Sequence, residues 1–143
     1  MRKELYETIC KKLMATGQIK HVDLWNQNVE FIEQEEVWNR PAVFVEFTPI
    51  RWNALVPGKE YRAEPIIKLH IVTDWNGSAA EGSPLKDESL EVFDLCETVD
   101  EALCNISGET FLELDLVGSD TNHNHEDILE NIEIFKCVAI RSL

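Results

Sequence analysis

The 143 residues, 44% hydrophobic and 28% charged, have the composition of a globular protein, and one core of that size buries roughly 68–70% of the unfolded surface. No apolar run approaches the ~20 residues needed to cross a bilayer, and Met1–Glu7 carries its charges within an amphipathic pattern with no apolar signal core behind it, so a cytosolic protein without membrane contact is expected. The net charge of −14 is unevenly spread: residues 1–86 hold 11 basic and 12 acidic side chains, while Asp87 to Phe135 holds 15 acidic ones and no Lys or Arg. Phosphate backbones are bound through Lys and Arg, which argues against sequence-specific nucleic-acid binding; an acidic surface serves solubility first and a basic partner surface second, such as the N-terminal half of a neighbouring copy.

Along the chain, Leu5, Ile9 and Leu13 recur at helical spacing, with Gly17 just beyond, predicting an amphipathic helix over residues 2–16. Val22 and Leu24 alternate with polar neighbours in a short strand ending near Trp25. Residues 29–40 mix four glutamates with Phe31, Ile32, Val37 and Trp38 and read as loop or irregular strand. Pro41 opens the run Ala42–Thr48, rich in β-branched and aromatic residues, which predicts a central strand. Pro57-Gly58 suits the middle of a type II turn, so the flanking segments form a long hairpin whose second arm, about Glu60–Trp75, shows Ile67, Leu69 and Ile71 on one face and Lys68 and His70 on the other.

Ser83-Pro84 reads as a helix entry with Ser as N-cap, and Val92, Leu95, Cys96, Val99 and Leu103 form the apolar stripe of that helix, stopped by Gly108. A strand with Leu112, Leu114 and Leu116 follows, then a polar loop over Gly118–Asp127, then a last strand in which Ile132, Ile134, Val138 and Ile140 alternate around Lys136. The order α-β-β-β-α-β-β implies a single α+β domain: an antiparallel-rich sheet of about five strands with two helices packed on one face.

Little here announces chemistry. Cys10, Cys96, Cys104 and Cys137 lack C-x-x-C spacing and sit among apolar residues, so they read as buried thiols. His123 and His125, with Asp120, are the one cluster with metal-ligand residue types, though a solvated loop between strands accounts for them better; His21 and His70 read as isolated, half-buried surface residues. No G-x-S-x-G, Walker A or G-x-G-x-x-G pattern is present, so no catalytic residue and no cofactor are assigned and an enzymatic role is not expected. Trp25, Trp38, Trp52 and Trp75 fall at strand ends and turns; Trp is enriched at binding hot spots, which makes Trp38, Trp52 and Trp75 candidate partner contacts, against the plainer alternative that they cap the edges of the core.

Three segments, Val22–Gln27, Pro41–Trp52 and Leu69–Asp74, together with the order of elements, resemble small tail-completion proteins of long-tailed bacteriophages and prophages, the group that includes tail terminators. The resemblance implies a structural role: copies form a ring, typically a hexamer, that stops tail-tube growth and joins tail to head. It implies as partners other copies of the chain, tail-tube proteins and head–tail connector proteins, in the bacterial cytoplasm during assembly and then in the virion tail. Acidic side chains lining such a ring would keep passing DNA from sticking. Two other readings stay open from residues alone: a head-completion or neck protein, and a small acidic regulator that mimics nucleic acid.

Overall fold

A computed structural model describes residues 1–26, 38–123 and 127–143. Its elements are α1 (Arg2–Ala15), β1 (His21–Leu24), β2 (Ala42–Phe47), β3 (Asn53–Val56), β4 (Glu60–Ala63), β5 (Ile66–Asp74), α2 (Lys86–Leu103), β6 (Phe111–Asn122) and β7 (Ile128–Ser142). The seven strands join one sheet. It is antiparallel except where β1 runs parallel to β2.

The expected five strands become seven because the long hairpin is interrupted. Its first arm is β2 and β3, its second β4 and β5; β4 and β5 keep one continuous register along β7, from Glu60 opposite Ser142 to Asp74 opposite Ile128. The break falls at Glu64-Pro65, because proline has no N–H to give a ladder. Pro57-Gly58 turns the hairpin as its chemistry dictates: Lys59 N–H donates to Val56 O at 2.9 Å, and Gly58 takes φ 75°. Ala139 pairs with Ala63 on one edge and Phe111 on the other, so β7 lies between β4–β5 and β6.

Both helices pack on one face. Leu5, Ile9 and Leu13 of α1 and Leu95, Val99 and Leu103 of α2 join Val43, Val45, Ile67, Leu69, Ile71, Phe111, Leu114, Phe135 and Cys137 in the main core. Three boundaries differ from the sequence reading. Helix α2 begins at Lys86, since Ser83 Oγ accepts from Leu85 N–H at 3.2 Å in a preceding turn and does not cap the helix. Residues 118–122, read as loop, continue β6 and pair with β7. Register shifts between Leu112 and Asp115 leave Leu112 exposed and Leu114 fully buried, so the three leucines do not share one face. Residues 27–37, including most of the ambiguous acidic segment, lie outside the described part.

Two contacts tie the helices to the sheet. Glu4, in the first turn of α1, accepts hydrogen bonds from the Thr110 hydroxyl (2.6 Å), Thr110 N–H (2.9 Å) and Glu109 N–H (3.0 Å), and these bonds, led by the hydroxyl, hold its carboxyl below the usual range. Gly108 lets the chain pass beneath that carboxylate: a Cβ there would lie 2.6 Å from the Phe111 ring and 2.7 Å from Glu4 Oε1. On the other helix, Asp100 shares a hydrogen bond with Glu133 of β7, which is buried and also accepts from Ser119 Oγ at 2.8 Å. Burial first, then the bond to Glu133 and its charge, push Asp100 up to about 7.

Gly108→Ala should therefore destabilise the fold by about 1–3 kcal/mol, measured by urea denaturation, with full native helix content retained by the folded fraction. The folded chain binds the Asp100 proton more tightly than the unfolded chain, so this contribution is greatest below the ordinary aspartate range of about 4 and is lost as the pH rises through about 7. Asp100→Asn should raise Tm at pH 8 by ~3 °C or more and leave it nearly unchanged at pH 4, flattening the profile between; an unaltered profile would place the pH dependence elsewhere.

Candidate functional site

The sheet face turned away from the helices carries a polar and aromatic cluster. Cross-strand pairing brings Phe44 of β2 opposite His70 of β5, and Val72 opposite both Ala42 and Glu130 of β7. His70 is 4% exposed, a correction to its reading as an isolated surface residue. Its Nε2 lies 2.7 Å from Glu46 Oε1 and its Nδ1 3.6 Å from Glu130 Oε2, and the Trp25 ring stacks flat on it, 3.8 Å between centroids and 3° between planes. Asn122 Nδ2 donates to Glu130 Oε1 at 2.8 Å. His21, 3.9 Å from Asp23, joins the rim by stacking on Trp38.

Two carboxylates on opposite ring nitrogens of one imidazole cannot share a metal ion with it, and among the described residues no group of three or more His, Cys, Asp or Glu is placed to hold one. His123 lies just past the end of β6, and His125 lies outside the described residues. The cluster instead fastens Trp25 over the sheet: a planar, hydrogen-bonded imidazole is a fitting floor for an indole.

The tryptophans proposed as partner contacts are not brought together. Trp38 is half-buried with its ring edge-on to Phe44 at 5.0 Å and the Arg40 guanidinium 5.5 Å over it. Trp52, half-buried, lines a hollow of about 420 Å³ with Phe47, Pro49, Ile50 and Arg2. Trp75, just past β5, is 57% exposed. Trp52 and Trp75 therefore stand at opposite ends of the sheet. A larger cleft of about 630 Å³ opens where α1 ends and α2 begins, walled by Gly17, Arg40, Thr73, Asp74, Ser89 and Val92; Arg40 bonds Asp74 across it.

All four cysteines are free thiols; Cys96 and Cys137 are buried, as read, whereas Cys10 and Cys104 are only half-buried. Burial pushes Cys96 up to about 12 and Cys137 up to about 11, so neither is poised as a thiolate. The His70 cluster had no linear signal, because its members come from three strands whose register only the folded sheet sets.

Charge differs between the two helices, which pack against each other: α1, which also touches β1, presents exposed Lys3, Lys11 and Lys12, whereas α2, which also touches β6 and β7, presents exposed carboxylates. No helix among the described residues is long and apolar enough to cross a membrane.

No protein-family model matches the chain, and no curated protein matches it in sequence. In three dimensions it is similar to a chain from the virion of a native gene transfer agent particle, with a TM-score of 0.51 at 10% sequence identity, over 93% of this chain and 92% of that one. At that identity the likeness is one of fold, and it runs almost end to end through both chains.

Proposed function

We propose that this chain is a structural component of a tailed phage or phage-like particle, of the tail-completion class, whose copies form a ring that closes the tail tube and joins it to the head. The observation that carries the reading is the likeness over nearly the whole length to a virion chain. The strand segments Val22–Gln27, Pro41–Trp52 and Leu69–Asp74 support it independently, since they resemble tail terminators in sequence alone. A ring needs heterologous contacts between two unlike surfaces of each copy, and a chain whose acidic surplus lies within residues 87–135, beside a nearly balanced N-terminal part, is unevenly charged in the way such a pair requires.

The chemistry fits a role in assembly. The most elaborate polar cluster is spent on holding Trp25 against the sheet, while Trp52 and Trp75 remain at the surface where a partner could take them up. Contact residues act best when held on rigid, hydrogen-bonded elements, which this sheet provides.

Light scattering of the purified chain, alone and with tail tubes of its particle, should show a species of six times 16.4 kDa, and immunogold labelling should mark the head-proximal end of tails. Label on tail-free head vertices would move the assignment to a neck or head-completion protein; a strict monomer that never associates with particles would remove the virion reading. Trp52→Ala should weaken assembly tenfold or more with Tm preserved, as expected of an interface aromatic; unchanged assembly would return Trp52 to the edge of the core.

A further inference from the structure

The two ends of the sheet are built differently. At one end β3 and β4 form a hairpin that stands clear of the core: every residue from 53 to 60 is exposed, Leu55 and Val56 among them, and β3 pairs with β4 alone. Its tip is nonetheless held in one shape. Besides the turn bond from Lys59 N–H to Val56 O, Gly58 N–H donates to the Tyr61 hydroxyl at 2.8 Å and Leu143 N–H donates to Lys59 O at 2.8 Å. Among the described residues Lys59 forms no ion pair.

At the other end lies the cleft of about 630 Å³ between the end of α1 and the start of α2. That volume is in the range that encloses a drug-sized group, about 300–1,000 Å³. Val92, Leu95 and Leu129 give it apolar walls. Thr73, 8% exposed, also lines it, and its Oγ1 has no hydrogen-bond partner among the described residues. A buried hydroxyl left unpaired costs free energy, so the cleft favours an occupant that brings a donor. Arg40 and Asp74 neutralise each other across it, which leaves Glu91 and Asp94 against Lys20, a net acidic rim whose two carboxylates form no ion pair among the described residues. Trp75, exposed, directly precedes the lining residue Asn76.

We infer that the hairpin tip of one copy enters this cleft on the next. Leu55 and Val56 meet the apolar walls, while the Lys59 ammonium, with three donors and no acceptor, reaches the rim carboxylates and the Thr73 hydroxyl. The occupant is a second copy of this chain, because the tip carries what the cleft lacks, apolar side chains and an unpaired cation. A chain cannot fill its own cleft: β7 runs from Leu129, in the cleft wall, to Ser142, paired with Glu60 of the hairpin, and that length of strand is ~44 Å. The contact joins opposite ends of the molecule, so it is heterologous and repeats head to tail, closing as a ring when the rotation from copy to copy completes a turn. A tip already fixed by hydrogen bonds gives up little freedom on docking. The inference rests on the ring reading proposed above and names the surfaces that close the ring.

The first test places the photo-crosslinking residue p-benzoylphenylalanine at Val56 of the full chain, assembled alone or on tail tubes, and maps the products by mass spectrometry. Cross-links should fall on cleft residues of a second copy, such as Gln18, Asn76 or Glu91. The second test uses exposed positions only: Lys59→Glu in one variant, Glu91→Lys with Asp94→Lys in another. Each alone should assemble at least tenfold more weakly, since tip and rim then carry the same sign, and an equal mixture should recover assembly as alternating copies. Recovery in the mixture also shows that both variants fold. A ring that forms with its Val56 cross-links elsewhere, or variants that assemble alone like wild type, would overturn the contact and leave the ring intact. Variants with native circular dichroism whose mixture stays monomeric would overturn it as well. A wild-type chain that stays monomeric both alone and on tail tubes would overturn the ring reading together with this contact.

Discussion

The double pairing of β7 is the constraint on which the rest of the structure depends. One edge of this 15-residue strand holds β4 and β5 in a single unbroken register, and the other holds β6 from Phe111 to Asn122. The long hairpin can therefore break at Glu64-Pro65 without losing alignment, because its two halves are referred to β7 and not to each other. Pro65 O even accepts from Cys137 N–H at 3.3 Å, so the gap itself is bridged. With β6 fixed, the chain before it is fixed too, and Glu4 can find Glu109 and Thr110 from more than a hundred residues away.

β7 is unusually polar for a central strand, and that polarity sets its alignment. Glu130 faces the open side with His70 and Asn122, while Asn131 and Glu133, on the helix side, meet Thr121 and Ser119. A slip of one residue would exchange the two sides, turning Glu130 toward the aliphatic core beneath the helices and Phe135 toward the open face. Each buried polar group costs free energy when its partner is missing, so these residues penalise wrong registers more sharply than an all-aliphatic strand could. Asp100 adds to the same selection from the helix layer, at a cost that grows with pH.

The sequence carried the helices and the central strands clearly, for physical reasons that belong to single segments. Leu5, Ile9 and Leu13 mark one face of a helix whatever the rest of the chain does, and Ile67, Leu69 and Ile71 mark one face of a strand. What stayed hidden was decided between segments. β3 has no signature because all four of its residues are exposed, and only pairing with β4 makes it a strand. Gly118 to Asn122 reads as loop by composition, yet β7 supplies an edge for it. The leucines of β6 alternate in sequence but not in space, since the irregularity around Glu113, at φ 55°, moves Leu114 inward and Leu112 outward. The same holds for the candidate site. The tryptophans were visible one by one, whereas the Glu46–His70–Glu130 arrangement under Trp25 is a product of three strands meeting.

The position of β7 in the chain also has a consequence for synthesis. Every strand that hydrogen-bonds to it directly is translated before it, so while β4, β5 and β6 emerge from the ribosome the edge that aligns them does not yet exist. The nascent sheet has only the β1–β2, β2–β5 and β3–β4 pairs to hold it, and its remaining edges are open to any extended segment nearby. Closure thus waits on the arrival of β7, and the many pairings distant in sequence are made together. The completed sheet therefore appears only after translation has passed the strand that aligns the others.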